Sequence, residues 1–340
     1  MKLALIAGTR PEIIKLAPLA KALEKYGIPF EWVFLRQHRE LLDIARETFR
    51  VSGTEIEVPS LSLSSRLGLA LACFTETLSS FSHIVVQGDT LTTLAGALVG
   101  FLNEKPVIHI EAGIRSHNLF QPFPEEQIRV FVDRVSWLRF APTYMNLRNL
   151  NEEGLEAGSF CSFGNTVSDA LAMVQIPEIE TPFRNYFLVA LLRRENWPII
   201  PRVYEMLSGK RDMNFIVVVH PNHREAASAL RGPHIRVFEP LKYEYFLALL
   251  KGARAVITDS GGTQEEASLL GVPAFILRAA IDRPESIAVG QAKQVADYTE
   301  LFSVIEQSDL QAMARPEKVY GDGRVSERIA LYLKKNLLEL

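Results

Sequence analysis

The sequence predicts an α/β fold of two doubly wound parallel-sheet domains, and three observations lead there. The chain has 340 residues, more than one hydrophobic core usually holds. Short apolar runs ending in Gly, Asp or Glu alternate with helical stretches, the pattern of parallel strands joined by crossover helices. The runs also fall into two series of similar size.

The first series is 3-LALIA-7, 32-WVFL-35, 84-IVVQ-87 and 107-VIHI-110. The second is 187-FLVALL-192, 215-FIVVV-219, 235-IRVF-238, 255-AVIT-258 and 273-PAFIL-277. A hinge is expected near 163-FGN-165, which gives a first domain over 1–163 and a second over 164–324. The last stretch, 325–340, carries apolar residues at Ile329, Leu331, Leu333, Leu337 and Leu338 and is expected to be a helix packing back on the first domain.

Composition narrows the function classes. With 48% hydrophobic and 23% charged residues, 20 Gly and 18 Pro, the chain matches globular proteins rather than disordered or collagen-like ones. A net charge of -3 provides no basic surplus for a phosphate backbone, so nucleic acid is not expected as a partner. Lys2 leads straight into the first apolar run, which is too short for a signal peptide, and no run reaches the ~18 apolar residues of a membrane span. Two isolated cysteines, Cys73 and Cys161, make neither a disulfide framework nor a zinc cluster. A cytoplasmic protein acting on a small molecule, with no metal or cofactor, is the expectation.

Open parallel sheets bind ligands beyond the carboxyl ends of their strands. There the sequence places Gly8-Thr9-Arg10-Pro11-Glu12 and Lys15, then Gly88-Asp89-Thr90, then Glu111-Ala112-Gly113. Arg10 and Lys15 suit a bound phosphate or are solvated cations. Asp89 and Glu111 suit proton transfer or capping of their loops. The segment from Arg115 to Glu126 reads as a substrate loop or an ordinary surface loop. In the second series, His220 follows a strand as a ligand contact or a structural cap. Asp259-Ser260-Gly261-Gly262-Thr263 leads into a helix whose free amides and dipole suit a diphosphate, although an ordinary Ser N-cap looks the same. No GxGxxG follows the first strand, so a nicotinamide cofactor is not expected.

The ordered segments 8-GTRPEIIKLAPL-19, 37-QHRELLD-43, 88-GDTLTT-93, 109-HIEAGIRS-116, 124-PEEQIR-129, 164-GNTVSDAL-171, 193-RREN-196, 239-EPLKYEYF-246, 259-DSGGTQEEA-267, 283-RPE-285 and 320-YGDG-323 span nearly the whole chain. In these the chain resembles the UDP-N-acetylglucosamine 2-epimerases of the non-hydrolysing bacterial and archaeal type. The resemblance implies a GT-B fold, two Rossmann-like domains facing across a nucleotide cleft, and a homodimer. It implies interconversion of UDP-GlcNAc and UDP-ManNAc by anti elimination of UDP and re-addition to a glycal, a step serving cell-surface polysaccharide biosynthesis.

The same resemblance assigns Asp89, Glu111 and Glu125 as catalytic acids. It assigns Arg10, Lys15, Arg129, His220, Leu241, Phe246, Ser260, Gly261, Gly262, Glu266 and Arg283 to binding of UDP or substrate. The chain departs from the family pattern at Leu192, where a catalytic His precedes RREN in the family. Leu91, Ile128 and 279-AAI-281 also replace polar residues. The departure at Leu192 leaves as alternatives a UDP-sugar-binding homologue with impaired or altered activity, a hydrolysing epimerase, or a GT-B glycosyltransferase.

Overall fold

The computed structural model describes residues 2–36, 39–59 and 62–337. The chain divides into two compact units, Met1–Met173 with Tyr320–Leu340, and Val174–Val319. Each is a parallel sheet with helices on its faces.

The first sheet has seven strands: β1 (Leu3–Ala7), β2 (Phe30–Arg36), β3 (Gly53–Glu57), β4 (His83–Gln87), β5 (Val107–Ile110), β6 (Leu138–Ala141) and β7 (Ser159–Cys161). They lie in the order β3-β2-β1-β4-β5-β6-β7. The second has six: β8 (Phe187–Ala190), β9 (Phe215–Val218), β10 (Ile235–Phe238), β11 (Ala255–Thr258), β12 (Ala274–Leu277) and β13 (Ala292–Val295), in the order β10-β9-β8-β11-β12-β13. Strand order reverses between β1 and β4 in one sheet and between β8 and β11 in the other, the switch points at which such sheets open a ligand crevice.

Most of the central strands are apolar runs of the sequence because both their faces are covered. In β8 the faces separate by parity: Phe187 and Val189 enter one core cluster, which Leu191 just after the strand joins, and Leu188 and Ala190 another. The strand stops at Ala190, two residues earlier than the apolar run, and Leu192 is 37% exposed. β3, β6, β7 and β13 escape an apolar-run reading. β3 and β13 are edge strands with polar residues, and β6 contains Arg139, whose guanidinium reaches the backbone oxygens of Asp133, Ser136 and Ala157.

The helix Val167–Met173 belongs to the first unit, not to the second as a hinge at 163–165 would place it. The Asp169 carboxylate explains this. It accepts hydrogen bonds at 3.1 Å from both Val325 N and Ser326 N, the free amides that open helix Val325–Leu337. Through that helix, Ile329 and Leu333 are buried and Glu327 meets Lys25 and Tyr26 of the first helical segment. Leu331 faces outward at 47% exposure, and Leu338 lies outside the described residues, as do Gln37 and His38 of the 37–43 motif.

Candidate functional site

In the first unit the helix Arg10–Lys25 begins directly after β1, with Thr9 as its N-cap. Glu12, 1% exposed, is the third helical residue. Its Oε2 accepts from Gly8 N and Thr9 N, both at 2.7 Å, and from Thr9 Oγ1 at 2.9 Å. Its Oε1 accepts from Thr90 Oγ1 and, at 3.0 Å, from Thr93 Oγ1. Burial pushes the Glu12 carboxyl above its ordinary range, against these hydrogen bonds, which pull it down.

One turn further along the helix, Lys15 Nζ lies 2.6 Å from Glu111 Oε2, both side chains almost wholly buried. Gln87, the last residue of β4, donates to the same oxygen. Glu111 itself has φ +73, a left-handed conformation rare for a non-glycine residue. Its amide and that of Ala112 both donate to the Phe140 carbonyl, at 3.1 and 3.0 Å, which holds the turn.

Asp89 follows β4 and accepts from Arg129, which is 2% exposed and also donates to Glu126 at 3.1 Å. Glu125 opens the helix Glu125–Val135, one turn before Arg129 on the same face. Glu126 ties the preceding loop down by accepting from Ser116 N and His117 N. In that loop Leu119, Phe120 and Phe123 are exposed.

Beneath this rim His109 bridges two acceptors, Asp133 Oδ1 at 2.6 Å and the Gly88 carbonyl at 2.8 Å. The other Asp133 oxygen accepts from Gly113 N and Arg115. Burial alone would raise the Asp133 carboxyl, but the charge and hydrogen bond of His109, with Arg115, hold it below its ordinary value.

The second unit builds its own switch point around Asp259, which is fully buried at the end of β11. Its carboxylate accepts from Leu192 N at 2.7 Å, Arg193 N at 3.1 Å and Asn196 Nδ2 at 2.9 Å, fixing the loop after β8. Burial raises this carboxyl, partly offset by those donors. Ser260 caps helix Gly261–Leu270 by accepting from Thr263 N. Arg283 is clamped at 3.0 Å to each of Glu265 and Asp282, with its guanidinium against the helix start. A Cβ on Gly261 would lie 2.6 Å from Arg283 Cζ, so only glycine admits this approach.

Of the remaining predicted residues, Gly262 is the second residue of that helix and Glu266 is buried in it. Leu241 packs with Phe246 in the core under the same sheet. His220 follows β9 with its ring 5.8 Å from that of His223. Arg10 is the first residue of its helix and half-buried.

The structure therefore joins Lys15 with Glu111 and Arg129 with Asp89, so Lys15 is a buried, paired residue and not a solvated cation. Sequence reading missed Glu12, Gln87, His109, Asp133 and the anchoring role of Asp259. For Glu12 a signal existed in the capping-box spacing 9-TRPE-12. For His109 the signal was its place at the head of the motif 109-HIEAGIRS-116; Asp133 carries none, since in the charged helix EEQIRVFVDRV it looks like one more surface residue. Among the described residues no group of three His, Cys, Asp or Glu is placed to hold a metal ion, and no helix is long and apolar enough to cross a membrane.

Comparison with known proteins adds the family. A family model described as UDP-N-acetylglucosamine 2-epimerase matches residues 21–334. The UDP-N-acetylglucosamine 2-epimerase of Neisseria meningitidis is 33% identical, over 99% of this chain and 100% of that protein. The enzyme of the same name from Methanocaldococcus jannaschii is 34% identical, over 98% and 99%. The Neisseria enzyme solved with UDP-GlcNAc superposes with a TM-score of 0.90, over 99% of this chain and 100% of that one. A spinosyn rhamnosyltransferase, 14% identical with a TM-score of 0.56, shares the fold alone.

Proposed function

The chain belongs to the UDP-N-acetylglucosamine 2-epimerase family, and on that premise we propose that it is an isomerase interconverting UDP-GlcNAc and UDP-ManNAc by elimination and re-addition of UDP. Its two Rossmann-like units have the parallel-sheet order of the GT-B class.

The chemistry sets three demands. The C2 hydrogen is not acidic, so the C1–O bond must break as a base removes it, with the electron pair of that bond leaving on the diphosphate oxygen. The departing UDP must be stabilised by cations and oriented amides. UDP must also stay bound until it adds back to C1 as a proton returns to C2 from the other face.

The observation that carries the reading is a pair of carboxylates, Glu111 and Asp89, anchored by Lys15 and Arg129 at the ends of adjacent strands β5 and β4. In this proposal Asp89, Glu111 and Glu125 move protons and support the cationic ring. Lys15 and Arg129 orient two of them, and Arg10 faces the developing charge of the leaving group. Ser260, Gly261, Gly262 and Arg283 hold the diphosphate, Glu266 the ribose, and Leu241, Phe246 and His220 the uridine side. A homodimer, a cytoplasmic setting and use of the product in cell-surface polysaccharide synthesis belong to the same proposal.

The test is incubation of the protein with UDP-GlcNAc in deuterated water, followed by NMR. Deuterium at C2 with appearance of UDP-ManNAc is expected. Free UDP with free sugar would mean hydrolysis instead. Binding of UDP with no exchange at C2 would refute the epimerase reading.

A further inference from the structure

At the first switch point the β1–β4 ladder ends at Leu5↔Val85, before either strand reaches its turn. Two turns that both carry site residues therefore diverge: Gly8–Arg10 after β1 and Gly88–Thr90 after β4. The second turn is tied to β5 through Gly88 N, which donates to the Ile110 carbonyl at 3.0 Å. Toward the β1 side it is held by the packing of Thr92 against Gly8 and by hydrogen bonds to Glu12.

A capping box would need from Glu12 only one contact, to the amide of its own N-cap residue Thr9. The structure shows far more. One carboxylate oxygen gathers the Gly8–Thr9 turn, and the other gathers the hydroxyls of Thr90 and Thr93 across the divergence. The Thr93 hydroxyl is shared, standing 2.7 Å from the Gln87 carbonyl as well. Burying a carboxylate this completely is costly, and an exposed glutamate could cap the helix without that cost. The bridge accounts for its burial.

We propose that Glu12 is a positioning residue for the epimerisation: its carboxylate sets where the turn bearing Asp89 stands relative to the turn bearing Arg10. The inference rests on the function proposed above. Glu12 touches no reacting atom in this account. It holds Asp89 in the geometry that proton transfer needs, and a displacement of about 1 Å there costs on the order of 100-fold in rate.

The experiment compares Glu12→Ala, Glu12→Gln and Thr93→Val with the wild-type chain. It reads kcat and KM for UDP-GlcNAc, and amide hydrogen exchange by mass spectrometry. Glu12→Ala is expected to lower kcat about 100-fold with KM changed less than about threefold, and to speed exchange of the 88–93 amides. Glu12→Gln, whose amide can still accept from the Gly8–Thr9 side and donate to the threonine hydroxyls, should return kcat toward the wild-type value. Thr93→Val leaves the capping box intact and should lower kcat while speeding exchange over the same segment. It carries the test if Glu12→Ala does not fold. A kcat within about twofold of wild type in Glu12→Ala or Thr93→Val, or faster exchange confined to residues 8–15, would overturn the proposal. If the wild-type chain shows no exchange at C2, the reading of function fails, and the 88–93 amides still decide whether Glu12 holds that turn.

Discussion

Replacing Lys15 by methionine keeps the length and apolar stem of the side chain and removes its charge. In the folded chain Lys15 Nζ and Glu111 Oε2 are 2.6 Å apart, with the two side chains 6% and 3% exposed, so solvent screens the pair little. Removing one partner of a buried pair costs about 3–5 kcal/mol, because the other charge stays behind without compensation. The Gln87 amide still donates to Glu111, which argues for the lower end, about 3 kcal/mol. For a unit of this size that lowers the unfolding midpoint by roughly 6–12 °C.

Fluorescence follows the transition, since Trp32 and Trp137 lie in the first unit and Trp197 in the second. Hydrogen exchange then separates the two units. Adding Glu111→Gln to Lys15→Met removes the stranded charge and should recover about 1 kcal/mol or more. A loss under about 1 kcal/mol for Lys15→Met, or strictly additive losses in the double variant, would show the pair to be no stronger than a solvated surface bridge.

Asp89→Asn and Glu111→Gln should each lower turnover by about 10²–10⁴ while UDP affinity, followed by calorimetry, stays within a few-fold. Unchanged turnover would remove either residue from proton transfer. Leu192→His should raise turnover, because the side chain at this position is 37% exposed while its backbone amide is fixed by Asp259, so an imidazole enters without disturbing the core. No gain in the deuterium assay would mean that the site works around leucine. Gly261→Ala should weaken UDP binding and cost about 1–3 kcal/mol in denaturant unfolding, since the Arg283 guanidinium must leave its positions on Glu265 and Asp282 to admit the new methyl group. Asp133 sits below its ordinary value of 3.8 in the folded chain. As pH falls the unfolded chain therefore takes up this proton first, so the stabilisation is present above 3.8 and lost as pH drops through the folded value. Asp133→Asn should flatten that acid limb of the stability profile.

Most strands legible in the sequence are buried on both faces, such as β1 and β11 with their uninterrupted apolar runs; β10 is an edge strand betrayed by its run IRVF, and the buried β6 escapes because Arg139 interrupts it. β3, with four of its five residues exposed, and β13, AKQV, are edge strands covered on fewer sides, and their composition does not separate them from loops. The grouping of helix Val167–Met173 with the first unit is not legible locally, because its attachment, Asp169 to the amides of Val325 and Ser326, joins residues far apart in the chain.

The same distinction divides the candidate site. Chain order alone put Arg10, Asp89, Glu111 and the 259-DSGG-262 turn at strand ends, because in a doubly wound sheet the residue after a strand faces the ligand side whatever surrounds it. The motifs around them carried the family. Only the tertiary structure decided which charges meet: Lys15 with Glu111, Arg129 with Asp89, Asp259 with the amides of Leu192 and Arg193, and Glu12 with two turns at once. These pairings span from 40 to 96 positions for the ion pairs, so no local propensity encodes them. They arise because the sheet brings distant strand ends within a few ångströms, where burial requires every charge to find a partner.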